Sequence, residues 1–522
     1  MNIPNTSLGL RPCDSVPLPG RSLTLAVPDR TASVSERPVA KEQFLAVKAL
    51  VVCSAILCGA LARSQTLPND AEIRQILADR IDVQHKSVGM VVGIITPQSR
   101  RLVTYGQMTQ GDARPLDGDT VFEIGSVTKI FTALLLADMV QHGEVHLDDP
   151  VSKYLPSTVH VPERNGRSIT LVDLATQTSG LPFFPSDIPL DDRAAGVVAK
   201  YTTGQLHEFL STWSPTRDIG SKWEYSNLGF GLLGQALAHR AQVDYESLVH
   251  ARITRPLGLE STAITLSSQM ERRLAPGHDA QLRPAPSVNM PAFEAAGSLR
   301  SSANDLLSFL AAFMGPTKSP LAPAMAAMLE TRRPGPGFQQ ALGWWIVSMG
   351  AGDEGFVFHG GQTPGFSSSV GFDPRTRVGV VVLSNGSADD GGLCWHLLRP
   401  SFPMATSAAE KARKDRKEIP LDPELAGLYA GKYRLTDGPS AGMAIMIERQ
   451  GDALAFVSPA TPPGGFRLHA ENERSFFITE ADLQVDFQRD GEGRVASLTV
   501  HFAGVSAVAS RMRPGAEQPG KQ

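Results

Sequence analysis

The sequence predicts a mixed α/β protein of the α+β kind: an antiparallel sheet flanked by helices, a helical subdomain set within it, and a small antiparallel β-barrel at the C-terminal end. Three observations carry this expectation. Strand-like runs lie at both ends of the region from 85 to 400, helical stretches fill its middle, and short alternating strands separated by glycine turns recur beyond 420.

Taken in order, the elements begin with an apolar leader. Lys48 precedes ALVVCSAILCGALA, a run too short to span a bilayer as a helix. A basic flank, a short apolar core and small residues at Ala60 and Ala62 describe a secretory signal cut near Ala62 or Ser64. The preamble is long for such a signal, which fits either an early start codon or a disordered leader, and Leu57 before Cys58 is too bulky for a lipid-attachment signal. Periplasmic or secreted localisation follows, with no transmembrane segment in the mature chain. Removing residues 1–64 takes Cys13, Cys53 and Cys58 with it, so Cys394 stands alone and no intramolecular disulfide is expected.

Next, AEIRQILADRI reads as an amphipathic helix, and SVGMVVGIIT with RLVTYG as a hairpin turning at Pro97. Residues 126–141 form a strongly apolar helix, and 170–310 alternate helices with Gly/Pro/Ser loops. FVFHGG, SSSVGFDP and VGVVVLSN are strand signals, the last two joined by a turn at Asp373–Arg377, before a helix around 388–398. Strands at both ends with helices between imply one sheet assembled from both termini. Residues 404–420 are charged and lack apolar periodicity. Beyond them MAIMIER, ALAFV, RLHAENERSFFI, LQVDFQ and VASLTVHF read as barrel or sandwich strands.

Composition narrows function. The chain has 522 residues, 42% of them hydrophobic, and a formal net charge of −4 without a long basic run, so nucleic acid is not an expected partner. The chemistry lies in FEIGSVTKIFTALL. Ser126 and Lys129 are three apart where an apolar helix begins, which sets them on one face about a turn apart. A serine hydroxyl needs a nearby base, and a lysine whose pKa is lowered by burial can be one. The first helical turn also offers a developing oxyanion a free N–H and the favourable dipole end. A lone S-x-x-K tetrad is common, and a serine at a helix start is usually a cap. Two further stretches shift that balance. In WEYSNLGFGLLG, Tyr225 and Asn227 are two apart on an extended segment and point the same way. In FHGGQTPGF, His359 is followed by Gly360 and Gly361, which would let a substrate approach the strand, and the Gln362 N–H is placed to join that of Ser126 in an oxyanion hole. Pro364 is expected inside the first turns of that strand, at the pocket rim.

With these residues in view, the chain resembles the serine β-lactamase and penicillin-binding protein superfamily, in the branch of class C β-lactamases, D,D-carboxypeptidases, D-aminopeptidases and related esterases (peptidase family S12-like). Matching stretches include TVFEIGSVTKIFTALLLADMV, HGEVHLDDPVSKYLP, ITLVDLATQTSGLP, WEYSNLGFGLLG, ITRPLGLEST, GSLRSSANDLLSFL and HGGQTPGFSSSVGFDP, over about residues 70–400. The resemblance implies Ser126 as acylated nucleophile, Lys129 as its proton acceptor and Tyr225 as the group that protonates the leaving atom and later activates water. It implies that Asn227 holds the substrate amide and Lys129, and that His359, Gly360, Gly361 and Gln362 line the substrate. His359 replaces the lysine of the class C K-T-G triplet, which puts strong binding of a penicillin-type carboxylate in doubt. The C-terminal strands, including YAGKY at 429–433, resemble lipocalin-like appendages of some relatives.

The expected organisation is a leader and signal over 1–64, a β-lactamase-like serine hydrolase domain over 65–403, a linker over 404–420, and a barrel with a short tail over 421–522. The expected activity is a secreted serine hydrolase acting through a Ser126 acyl-enzyme on β-lactam or D-amino-acid amide or peptide substrates, with a carboxylesterase or an inactive penicillin-recognising module as alternatives. Expected partners are a small-molecule or peptide substrate, including cell-wall peptide. No cofactor and no metal are expected: His142 and His146 flank Glu144, but HGEVH lacks the H-E-x-x-H order. GPSAG at 438–442 matches a nucleophile elbow, yet MAIMIERQGDALAFV after it reads as a hairpin, which leaves Ser440 a loop serine.

Overall fold

The computed structural model describes residues 67–512 except 113, 189–193, 316–318, 349–352, 388–390, 403, 405–414, 437–443, 459–464, 480–482 and 503–504. The expected signal, most of the expected linker and Ser440 lie outside the described residues.

Helix α1 (Asp70–Ala78) starts at Asn69, whose side chain accepts from the Ala71 and Glu72 amides while the Glu72 carboxylate accepts from the Asn69 N–H. That reciprocal cap satisfies amides the helix itself leaves unpaired. Strands β1 (Gly89–Ile95) and β2 (Arg100–Gly106) then form the expected hairpin, closed by Thr96 N–H to Ser99 O at 2.8 Å. Helix α2 (Thr128–Gln141) is buried from Thr128 to Met139, as a helix with apolar residues on every side must be, and it carries Lys129, Thr132 and Asp138 into the interior. It is preceded by a 3-10 turn, Gly125–Val127, so Ser126 lies just before the α-helix and not inside it. Helices α3 (Asn227–Ala241) and α4 (Ala303–Met314) follow in the mainly helical middle.

The sheet closes with β3 (Trp345–Val347), β4 (Phe356–Thr363), β5 (Phe366–Asp373) and β6 (Val378–Ser384). Its order is β2-β1-β6-β5-β4-β3 followed by two short strands, Gln339–Gln340 and Arg333–Pro334, and every pair is antiparallel. The amino-terminal hairpin therefore pairs with the last strand, Met90 opposite Ser384. One face packs α2, α3 and α4, and the other packs α1 with α5 (Gly391–Leu398). Pro364 is not within a strand: Thr363 pairs with Phe366, so Pro364 and Gly365 are the two turn residues joining β4 to β5. His359 stands in the middle of β4.

The C-terminal strands form a closed eight-stranded barrel in sequential order, β7 (Gly431–Leu435), β8 (Ala444–Gln450), β9 (Ala453–Val457), β10 (Phe466–Ala470), β11 (Ser475–Phe477), β12 (Leu483–Arg489), β13 (Val495–Phe502) and β14 (Val505–Arg511). RLHAENERSFFI is two strands, not one. Aromatic and aliphatic side chains such as Tyr429, Tyr433, Phe476 and Phe487 fill the interior, so the barrel is a packed core. Glu418 and Ile419 already engage it, through Glu418 to Arg467 and His469 and through Ile419 N–H to Ala470 O. Among the described residues no helix is long and apolar enough to cross a membrane.

Candidate active site

Lys129 is fully buried, and its Nζ meets three oxygens: Ser126 Oγ at 3.0 Å, Asn227 Oδ1 at 2.7 Å and Ala296 O at 2.6 Å. The two carbonyl oxygens only accept, so amine N–H groups must point at them. Burial holds this amine well below the ordinary lysine range, and no carboxylate charge offsets that push. A neutral amine has two protons and a lone pair. With both protons committed to Asn227 and Ala296, the lone pair faces the Ser126 hydroxyl. Ser126 itself is half-buried, within reach of a ligand.

The Tyr225 ring lies 4.8 Å from Lys129 Nζ, with Phe230 on a further side at 5.7 Å. Burial raises the Tyr225 phenol above its ordinary value and an interaction with Ser126 opposes the rise, which keeps it a protonated donor at neutral pH. Asn227 is the first residue of α3, and its cap Ser226 is extended at φ −136° and ψ 112°, so Tyr225 and Asn227 converge on Lys129 across an extended residue where the loop meets the helix.

Strand β4 runs beside the Ser126 turn because two glycines allow it. A Cβ on Gly361 would stand 2.0 Å from Ile124 O, and one on Gly125, at φ +47°, would stand 2.7 Å from Gln362 N and O. Gly361 thus admits the chain's own 124–125 segment, where the sequence reading had a substrate. The two-residue turn makes Thr363 and Phe366 a hydrogen-bonded pair, and alternation makes Gln362 and Ser367 a non-bonded one. The Gln362 N–H therefore points away from β5, on the side of β4 where Gly125 approaches. Its side chain donates to Ser387 O. His359 is buried, and its pKa is lowered to about 3 by burial first and by nearby Lys129 second. Its Nδ1 lies 2.7 Å from Gly360 O, an acceptor, so Nδ1 carries the proton and Nε2 keeps a lone pair.

All eight sequence-selected residues thus fall in one place, and the structure adds two that sequence reasoning missed. Ala296 contributes only a backbone oxygen, which no residue type signals. Gln177, buried at φ +60°, accepts from Glu224 N–H through its carbonyl and from Ser226 N–H through Oε1, both at 2.7 Å, and so grips the chain on either side of Tyr225. Its stretch, ATQTSGLP, carried the resemblance without a role. Of the decoys, Glu144 pairs with Arg252 at 2.7 Å, and His142 Nδ1 bonds Asp138 O at 2.8 Å.

The family model described as Beta-lactamase matches residues 69–399. The chain belongs to the beta-lactamase family. Relatives include the D-alanyl-D-alanine-carboxypeptidase/endopeptidase AmpH of Escherichia coli K12, 31% identical over 65% of this chain and 91% of that protein. A beta-lactamase of Pseudomonas fluorescens is 28% identical over 60% of this chain and 94% of its own. Among solved structures, the class C beta-lactamase of Rhodobacter sphaeroides matches with a TM-score of 0.53 at 27% identity, covering 61% of this chain and 95% of that one. This beta-lactamase-family chain is a serine hydrolase of the β-lactamase and carboxypeptidase type.

Proposed function

We propose that the protein is a periplasmic or secreted hydrolase of D-amino-acid amides or peptides, cell-wall peptide included, that acylates Ser126. The observation that carries this reading is the buried Lys129 amine, held by the Asn227 and Ala296 oxygens 3.0 Å from Ser126 Oγ, where burial favours its uncharged, proton-accepting form. As Ser126 Oγ bonds to the substrate carbonyl carbon, its proton passes to Lys129. The Ser126 and Gln362 N–H groups receive the oxyanion. Tyr225 gives its proton to the leaving nitrogen as the C–N bond breaks, and the Lys129 ammonium beside it restores that proton. Water then enters, and as its oxygen bonds to the acyl carbon its proton is relayed through the Tyr225 hydroxyl to the now neutral Lys129, which returns a proton to Ser126 Oγ as the ester bond breaks and the acid product leaves. The likeness to AmpH, named for D-alanyl-D-alanine cleavage, supports the peptide class.

A second reading, a carboxylesterase on the same machinery, is favoured by one observation. Neutral His359 stands where a cation would hold a substrate carboxylate, so an uncharged ester loses nothing there.

Mass spectrometry after incubation with a chromogenic cephalosporin and, separately, p-nitrophenyl acetate tests the acyl-enzyme. A mass increase on the peptide carrying Ser126 is expected with at least one of them. Slow release of a cephalosporin adduct points to the peptidase and rapid turnover to a β-lactamase, whereas ester cleavage without that adduct points to the esterase. No adduct with either would overturn the acyl-enzyme and leave a binding module.

A further inference from the structure

A chain of rings borders the site from one end to the other. Phe183 lies 5.9 Å from Tyr225, Tyr225 6.3 Å from Trp223, Trp223 5.4 Å from Phe338, Phe338 4.9 Å from Trp345, and Trp345 5.0 Å from His359. Three of the six, Phe183, Phe338 and Trp345, belong to none of the motifs that name the catalytic groups. They come from separate segments, and their edges are not lost in the core: Phe183 is 42% exposed, and Trp223, Phe338 and Trp345 are half-buried. The arrangement is held in place, because Trp223 Nε1 donates to Gln340 Oε1 at 2.9 Å and Phe338 stacks on Trp345 at 23°. Exposed aromatic edges are costly in water unless something apolar covers them. His359, at the end of the chain, is neutral and offers no charge to a carboxylate.

We propose that this arc of Phe183, Trp223, Tyr225, Phe338, Trp345 and His359 is the subsite for the leaving group, and that it selects an uncharged, flat apolar or aromatic group over one bearing a carboxylate. The assignment to the leaving side rests on the proposed role of Tyr225: the leaving atom must meet that hydroxyl, and the arc is built on its ring. Covering a phenyl group there is worth about tenfold or more in affinity at roughly 1.5–3 kcal/mol per buried ring.

Binding of N-acetyl-D-phenylalaninamide, followed by quenching of tryptophan fluorescence because Trp223 and Trp345 form the arc, tests the proposal without needing turnover. The unaltered protein is expected to bind the amide at least about tenfold more tightly than N-acetylglycinamide, and more tightly than the carboxylate N-acetyl-D-phenylalanine. Phe338→Ala should remove most of the preference for N-acetyl-D-phenylalaninamide over N-acetylglycinamide, and Phe183→Ala, at a surface position where folding is not at stake, should lower that ratio by a smaller factor. Equal binding of amide and carboxylate, or a phenyl preference untouched in both variants, would overturn the subsite. Failure of the acyl-enzyme reading looks different: the aromatic preference would persist in binding while Ser126 stayed unmodified.

Discussion

Two clusters among the described residues set a serine beside a basic nitrogen, the Lys129 amine in one and the His501 ring in the other, and they differ in almost everything else. At one, Ser126 faces a fully buried Lys129 held by two carbonyl oxygens. At the other, on the barrel, Ser506 Oγ lies 2.7 Å from His501 Nδ1 and His501 Nε2 lies 2.8 Å from Asp486 Oδ2. By connectivity the second is the more familiar array, serine to imidazole to carboxylate. Yet Ser506 is exposed, directly opposite His501 across β13 and β14, and His501 is 38% exposed. Water competes for every bond in that array. What separates the two clusters is desolvation and a preorganised surround, and not the identity of the hydrogen-bonding atoms.

The comparison can be broken by substitution. Ser126→Ala should lower ester or peptide turnover by at least about 10³-fold, the loss expected when the group that forms the covalent bond is removed. Equal activity in that variant, read by p-nitrophenol release, would move the chemistry elsewhere, with Ser506 as the next serine to test. Lys129→Arg puts a group that stays protonated where the buried amine must be able to lose its proton, so kcat should fall by about 10²–10⁴, and the added buried charge should lower the melting temperature as well. In the unaltered protein the same logic sets the pH profile: activity rises with pH as the depressed Lys129 loses its proton and falls only where the raised Tyr225 phenol ionises.

Smaller effects sharpen the contrast. Gln177→Ala leaves the Ser226 amide without its buried acceptor and should cost about 1–3 kcal/mol in chemical denaturation, with kcat falling more than KM rises because Tyr225 loses its anchor. His359 has a folded pKa of about 3 against an ordinary 6.5, so below pH 6.5 the unfolded chain binds a proton the folded one refuses. Stability from this group is complete above pH 6.5 and drains away towards pH 3. The fall in melting temperature between pH 7 and pH 5 should therefore be smaller in His359→Gln by about 2–4 °C. Last, Ser506→Ala should change neither turnover nor stability beyond about 0.5 kcal/mol, as for an ordinary surface site.

Much of the site was legible in sequence because its chemistry follows local spacing. Ser126 and Lys129 share a helical face by the three-residue interval, and the Tyr225–Asn227 pair flags itself by type. The barrel was visible as alternating strands, YAGKY at 429–433 among them, although the turn splitting RLHAENERSFFI and the closing strand at 505 were not separated. Other features have no local signal. Ala296 acts through its backbone, Gln177 through a left-handed conformation, and the aromatic arc gathers residues from 183 to 359 that only the fold makes neighbours. The role given to Gly361 was misread for a related reason, since a glycine records that something comes close without recording what.

The sheet seam between β1 and β6 has a consequence in time. Ser87 and Asn385, which bond across it, are 298 residues apart in sequence. Pairing so distant is entropically expensive to nucleate and slows folding. The helical middle, with Ser126, Lys129, Tyr225 and Asn227, can condense from nearer contacts, whereas β4 gains its place only when the sheet closes. Pulse-labelled hydrogen exchange during refolding should show amides of α2 and α3 protected before those of β1 and β6. On that order of events the basic residue and the serine meet early, and the amide of Gln362 joins them last, so hydrolytic competence would appear late, with the joining of the two ends.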